Sequence, residues 1–229
     1  DSLEDLFTFK PRIEKLVLKD AKLRTFIADA SHRDELVAHV YDTTFEVIQK
    51  DRDSLVIIDD SIVRGTTLEK SILTLLDNLN PKKIVIISSA PQIRFPDCYG
   101  IDMSKMKDFV AFRAVLALLI DEGKEYLLED VLEKCLAVKD KVNEVNYVKE
   151  LYAPFSYDQV SQKIGEIVKP KKMKAVLEVV FQTVEGLHKA CPDHLGDWYF
   201  TGDYPTKGGN SVVNTAFINF MKGVEVRAY

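Results

Sequence analysis

The run Leu55-Val56-Ile57-Ile58-Asp59-Asp60-Ser61-Ile62-Val63-Arg64-Gly65-Thr66-Thr67 constrains what this chain can fold into more than any other feature. An apolar stretch ends in two adjacent acids. A loop of small and hydroxyl residues then leads into a helical pattern. Residues 55–58 read as a buried strand, apolar on both faces as in a parallel sheet. Open α/β sheets bind ligands beyond the carboxyl ends of their strands, where Asp59 and Asp60 stand. Residues 61–67 add backbone N–H groups, hydroxyls and a flexible Gly65 just before a helix start, a place suited to a phosphate. Carboxylates take sugar hydroxyls or a divalent metal, so the run as a whole suits a phosphorylated sugar.

The flanking sequence supports an α/β unit. Residues 68–79 repeat Leu68, Ile72, Leu75, Leu76 and Leu79 at helical intervals. Asn80-Pro81 ends them, because the residue before proline is pushed out of the helical region. Residues 83–88 form a second apolar strand, giving a strand–helix–strand unit whose strands are expected to be parallel. Residues 90–103 read as a long functional loop. Upstream, residues 12–17 and 23–28 are strand candidates. Residues 34–49 show helical spacing, with Leu36, Val37, Val40, Tyr41, Thr44, Phe45 and Ile48 on one face. Downstream the chain reads as helical at residues 109–120, 126–138, 157–168 and 173–190. A loop over 201–210 and a short helix over 212–221 follow. The division expected is residues 1–104 for the α/β part and 105–229 for a mainly helical region.

Composition narrows the class. The chain has 229 residues, 46% hydrophobic and 29% charged, as in soluble globular proteins. Its net charge of −5 gives no overall attraction for nucleic acid or for a membrane surface. Lys169, Lys171, Lys172 and Lys174 cluster, which reads as a solvated helix start after Pro170. No apolar run is long enough to span a membrane. Cys98, Cys135 and Cys191 are widely spaced and form no metal pattern, so reduced thiols and a cytoplasmic location are expected.

Residues 59–67 resemble the signature of type I phosphoribosyltransferases, which bind phosphoribosyl pyrophosphate (PRPP). The form Asp-Asp-Ser-Ile-Val-Arg-Gly-Thr-Thr is similar in particular to that of the glutamine PRPP amidotransferases, or amidophosphoribosyltransferases. Arg24-Thr25-Phe26-Ile27 upstream and the segment from Ser89-Ala90-Pro91-Gln92-Ile93-Arg94-Phe95-Pro96 to Met103 downstream extend the likeness, roughly over residues 22–103. Phe200-Thr201-Gly202-Asp203-Tyr204-Pro205-Thr206 is a weaker echo.

The resemblance implies a type I phosphoribosyltransferase-like sheet, partial here, with the helical region after it. It implies that Asp59 and Asp60 bind ribose hydroxyls and Mg²⁺. Ser61, Val63, Arg64, Gly65, Thr66 and Thr67 then wrap the 5′-phosphate. Arg94 to Asp102 line the site or face the ammonia source. Family enzymes make 5-phosphoribosylamine for purine synthesis, and an upstream glutaminase domain supplies the ammonia from glutamine. The implied partners are PRPP, that domain and further copies of the enzyme.

Three departures stand out. The chain starts at Asp1 without the glutaminase cysteine, and residues 1–54 do not hold both the strand and the pyrophosphate loop such a core needs. The expectation is therefore a C-terminal portion, inactive alone, with no catalytic residue of its own. The stretch that forms a basic flexible loop in typical members holds only Arg33, Lys50 and Arg52. Where some members place a Cys-x-x-Cys, this chain reads Gly196-Asp197-Trp198-Tyr199, so no iron–sulfur cluster is expected. A PRPP- or nucleotide-sensing regulator on the same fold is the alternative. The acid pair argues against it and the missing basic loop for it.

Overall fold

The computed structural model describes residues 12–13, 17–19, 41–43, 48–98, 103–139, 145–194 and 196–228. Its centre is a parallel sheet of β3 (Ser54–Asp59), β4 (Lys83–Ser88) and β5 (Val176–Phe181), in that order. Two short strands precede it, β1 (Val17–Lys19) and β2 (Tyr41–Thr43), paired antiparallel with Val17 opposite Thr43. The expected parallel unit is present, with Leu55 beside Ile84 and Asp59 beside Ser88.

Between β3 and β4 runs α1, which begins as a π-helical turn (Leu68–Ile72) and continues as an α-helix (Leu73–Asp77). Leu68, Leu73 and Leu76 are its buried face. The helices α2 (Val110–Asp121), α3 (Tyr126–Ala137) and α5 (Tyr157–Val168) follow where the spacing predicts them. A short α4 (Lys149–Tyr152) lies between the last two. Ser156 starts α5 with a reciprocal capping box to Gln159. The helix packs on α2 and on β5. After β5 come α6 (Val184–Ala190), α7 (Trp198–Thr201) and α8 (Lys207–Met221). Phe112 of α2 meets Phe217 and Phe220 of α8 edge to face, at centroid distances of 6.3 and 4.9 Å.

Several expectations need correction. Residues 173–190 are not one helix. Val176, Leu177, Val180 and Phe181 satisfy helical spacing, yet they form β5. The β-branched residues fit a pleated surface, and β4 offers a full ladder of partners from Lys83–Val176 to Ser88–Phe181. The carboxylate of Asp77 accepts from the N–H groups of Lys174 and Ala175 at about 3 Å, which ties the chain down just before the strand. The lysines there lie in this connection and not at a helix start. Strand β3 is not apolar on two buried faces: Val56 and Ile58 are 61% and 73% exposed. They share an open sheet face with Val176 and Val180, where Lys83 and Glu178 form an ion pair. The opposite face, with Leu55, Ile84, Ile86, Val179 and Phe181, belongs to the core.

Helix α8 begins at Lys207, earlier than expected, because Thr206 caps it by accepting from the Gly209 N–H. Residues 41–43 are strand where a helix was expected, and β1 starts where the strand candidate over 12–17 ends. The remainder of the 34–49 expectation, the strand over 23–28 and the Arg24-to-Ile27 segment lie outside the described residues.

Candidate functional site: the loop after the first strand of the parallel sheet

The acid pair is held by its own backbone and by the neighbouring strand. Asp59 accepts from the Asp60 N–H at 3.0 Å, and Asp60 accepts from the Ser61 N–H at 2.8 Å. These local bonds turn the chain sharply at the strand end. The carbonyls of Asp59 and Asp60 accept from the N–H groups of Ser89 and Ala90 at 2.9 and 3.0 Å. The Ser89 hydroxyl adds a bond to the Asp60 carbonyl. Partial burial raises the carboxyl of Asp59 above the ordinary range. The Asp60 N–H opposes this, and the neighbouring Asp60 carboxylate adds to it.

Beyond the acids, Ile62 is buried and pins the loop to the core. Helix α2 then braces it from beneath. The Val110 N–H donates to the Val63 carbonyl at 2.8 Å, and the Arg113 guanidinium donates to the Arg64 carbonyl. The side chain of Arg64 pairs with Asp108 at 3.4 Å. Gly65 has φ of +72°, and a Cβ there would stand 2.6 Å from Cγ1 of Val168. Both its conformation and its close approach to α5 call for glycine. Helical structure starts directly after it, at Thr66, and passes into the π-helical turn. Such turns are frequent at functional sites.

A cavity of about 570 Å³ opens over this loop. Of the sequence-derived candidates, Asp59, Ser61, Val63, Arg64, Gly65, Thr66 and Thr67 line it. Asp60 is exposed beside them but is not on the lining. Met103, with φ of +59°, lines it too. It ends the second matched segment, the one signal that could have singled it out. The supporting roles of Arg113 and Asp108 carry no local sequence mark.

Arg94 and Phe95 do not reach this cavity. They lie under the second echo: the Tyr199 carbonyl accepts from both of their N–H groups, at 2.8 and 3.1 Å. Tyr204 donates to the Pro96 carbonyl. Gly202 has φ of +75°, and a Cβ there would sit 2.8 Å from the Phe95 ring. The segment over 89–98 and the segment over 199–206 are thus two halves of one packed unit. Residues 99–102 lie outside the described residues.

No cluster of metal-ligating side chains with three or more members is found among the described residues. Cys98, Cys135 and Cys191 form no disulfide. Burial pushes the Cys135 thiol up to about 12, so it stays protonated and inert.

The fold and site define a parallel α/β protein with an acid pair and a braced, glycine-containing loop at a strand end. The chain is a sequence relative of the amidophosphoribosyltransferases. It is 34% identical to that of Pasteurella multocida over 137 residues, 55% of this chain and 27% of that one. It is 45% identical to that of Escherichia coli over 58 residues, covering 25% and 11% of the two chains. With the enzyme of Saccharomyces cerevisiae the identity is 36% over 104 residues, covering 41% and 20%. The chain therefore spans about a quarter or less of the length of these relatives. A solved glutamine PRPP amidotransferase from B. subtilis, complexed with ADP and GMP, aligns with a TM-score of 0.46. Its identity is 24%, over 84% of this chain and 32% of that one. No family model matches the chain.

Proposed function

We propose that this chain is the PRPP-binding portion of an amidophosphoribosyltransferase. In that reaction ammonia displaces pyrophosphate from C1 of PRPP and gives 5-phosphoribosylamine. The observation that carries the reading is the loop over 61–67. It is bent at the strand end by the acid pair, braced by Arg113 and Val110, and opened at Gly65. Its N–H groups and hydroxyls hold the 5′-phosphate. Asp59 and Asp60 accept from the ribose hydroxyls and so fix the sugar for in-line attack.

The donor set also fits Mg²⁺. That ion is commonly held by one or two carboxylates together with substrate phosphates, and the acid pair offers such carboxylates. Bound with PRPP, it would lower the charge on the departing pyrophosphate.

In the complete protein an upstream glutaminase domain supplies the ammonia, and the enzyme is a cytoplasmic homo-oligomer of purine synthesis. We also propose that this polypeptide alone turns over little or no PRPP, since a leaving pyrophosphate needs its own donors in place before reaction begins. The test replaces both acids, Asp59→Asn with Asp60→Asn, in the complete protein and measures PRPP binding with Mg²⁺. Each lost charged hydrogen bond should weaken binding by about 1.5–3 kcal/mol. Unchanged affinity would remove the proposal. An ammonium-dependent assay of this polypeptide beside the complete protein tests the second point, and equal rates would overturn it.

A further inference from the structure

A second cavity, of about 540 Å³, shares no lining residue with the phosphate loop. Its wall holds Arg94, Phe95, Tyr152, Phe155, Tyr157 and Phe200. The guanidinium of Arg94 lies between two aromatic rings, 5.2 Å from the centroid of Tyr152 and 5.1 Å from that of Tyr157. Its Nε and one terminal nitrogen both donate to Oε1 of Gln92, at 3.0 and 2.7 Å. A guanidinium carries five N–H donors, so this leaves others over. Among the described residues no carboxylate pairs with it.

Every group around this arginine is itself held. Gln92 donates through Nε2 to the Tyr157 carbonyl at 2.9 Å and to the Ser161 hydroxyl at 2.7 Å. The Tyr157 hydroxyl accepts from the Gln92 N–H and donates to the Gln182 carbonyl. The Tyr152 hydroxyl donates to the carbonyl of Arg94 itself. Burial pulls the arginine below its ordinary value, and the two phenols counter that only weakly. The fold thus maintains a partly desolvated cation, costly to keep without an anion, in a fixed orientation.

We propose that this cavity is a binding site for a small aromatic monocarboxylate, held at its carboxylate by Arg94 and at its ring by Phe95, Phe155 and Phe200. The planar fork of arginine matches a carboxylate in two parallel bonds. The volume lies within the usual range for small-molecule sites, about 300–1,000 Å³, and the walls are apolar and aromatic as such sites require. The charge of the ligand follows from the other ionic groups on the lining. Lys149 is paired with Asp203 at 2.6 Å and Glu150 with Lys134 at 2.5 Å, so both are compensated. One uncompensated positive charge, on Arg94, selects a monoanion over a phosphate dianion.

The test uses the whole 229-residue polypeptide, labelled with ¹⁵N, and four probes: benzoate, neutral benzamide of the same shape, inorganic phosphate and acetate. Benzoate is expected to move the Arg94 Nε–H resonance and the backbone N–H signals of Phe155 and Phe200 saturably. Benzamide should bind about tenfold more weakly or worse, as loss of charged hydrogen bonds dictates. Phosphate should leave these resonances in place. Arg94→Gln, checked for folding by circular dichroism, should lose benzoate binding by about tenfold or more. Phe200→Ala serves if that variant does not fold: it keeps the cation and should weaken benzoate while leaving acetate unaffected. The proposal is overturned if benzoate gives no saturable shift at Arg94, or if benzamide or phosphate matches it. Undiminished benzoate binding by folded Arg94→Gln or by Phe200→Ala overturns it equally.

Discussion

Arg113, on the first buried turns of α2, donates through its guanidinium to the main-chain carbonyl of Arg64 at the crest of the loop over 61–67. Its Nε is buried with no hydrogen-bond partner. A cation therefore stands directly behind this loop and fixes its shape through a single carbonyl. Replacing it with methionine, which keeps the packing of the stem, removes that bond and also the unpaired Nε. These effects oppose each other, so stability should change by less than about 1 kcal/mol. Affinity for PRPP in the complete protein should fall by about tenfold, as a charged hydrogen bond that positions the loop is lost. Thermal melts and PRPP titration of the same variant separate the two quantities, and a large stability loss with unchanged affinity would contradict this positioning role.

Gly65 makes a sharper prediction, because its requirement has two parts. Gly65→Ala forces a side chain into a left-handed conformation, at a cost of about 1–3 kcal/mol. It also drives a Cβ against Val168, 2.6 Å away. Adding Val168→Ala makes room for that methyl group but does nothing for the backbone. The double variant should therefore be destabilised by less than the sum of the two single changes, with part of the Gly65→Ala loss remaining. Denaturant melts of the four proteins in the cycle give the coupling directly. Strict additivity would show that the close approach does not matter.

The raised carboxyl of Asp59 gives a dependence on pH with a definite sign. A carboxyl whose value is higher folded than unfolded binds its proton more tightly in the folded state. Stability from this group is then greatest at low pH and declines as pH rises through the unfolded and then the folded value. Asp59→Asn abolishes that decline. The variant should melt above the parent at neutral pH, with the gap closing as pH falls below about 4. Solvent screening of this half-exposed group keeps the gap under about 1 kcal/mol. A variant less stable than the parent at pH 7 would contradict the assignment.

Strand β5 can be tested by its alternation. Val179 is 8% exposed and packs against Gly165 of α5, whereas its neighbour Val180 is 40% exposed on the open face. Val179→Ala should cost about 1.5–3 kcal/mol, and Val180→Thr should change stability by less than about 0.5 kcal/mol. Urea melts of the two variants check this contrast. Equal costs would be hard to reconcile with a strand buried on one side.

The acid pair, the loop and the strand on either side of α1 were legible because each is encoded locally. A run of β-branched residues, adjacent acids, a glycine before hydroxyls and a proline after a leucine repeat all act within a few residues of themselves. Helices α2, α3 and α5 were legible for the same reason, since their apolar stripes carry one period over three turns. Residues 173–190 were misread because Val176, Leu177, Val180 and Phe181 satisfy both periods. What decided between them was β4, whose edge opposite β3 offers a ladder to a segment roughly ninety positions later, and Asp77, which catches Lys174 and Ala175 before the strand begins.

The sequence by itself determined the make-up of the loop: which acids, hydroxyls and glycine it holds, and in what order they follow a strand end. Tertiary structure alone decided which of them share a cavity. It put Asp59 on the lining with Asp60 exposed beside it, set Arg113 behind Arg64, and left Val56 and Ile58 on an open face. It also carried Arg94 away from the loop over 61–67 into a separate aromatic cavity. The physical reason is the same in each case. Local sequence sets backbone conformation and side-chain type within a turn or a strand. Burial, bracing and the neighbours of a charge depend on segments that meet only when the chain packs.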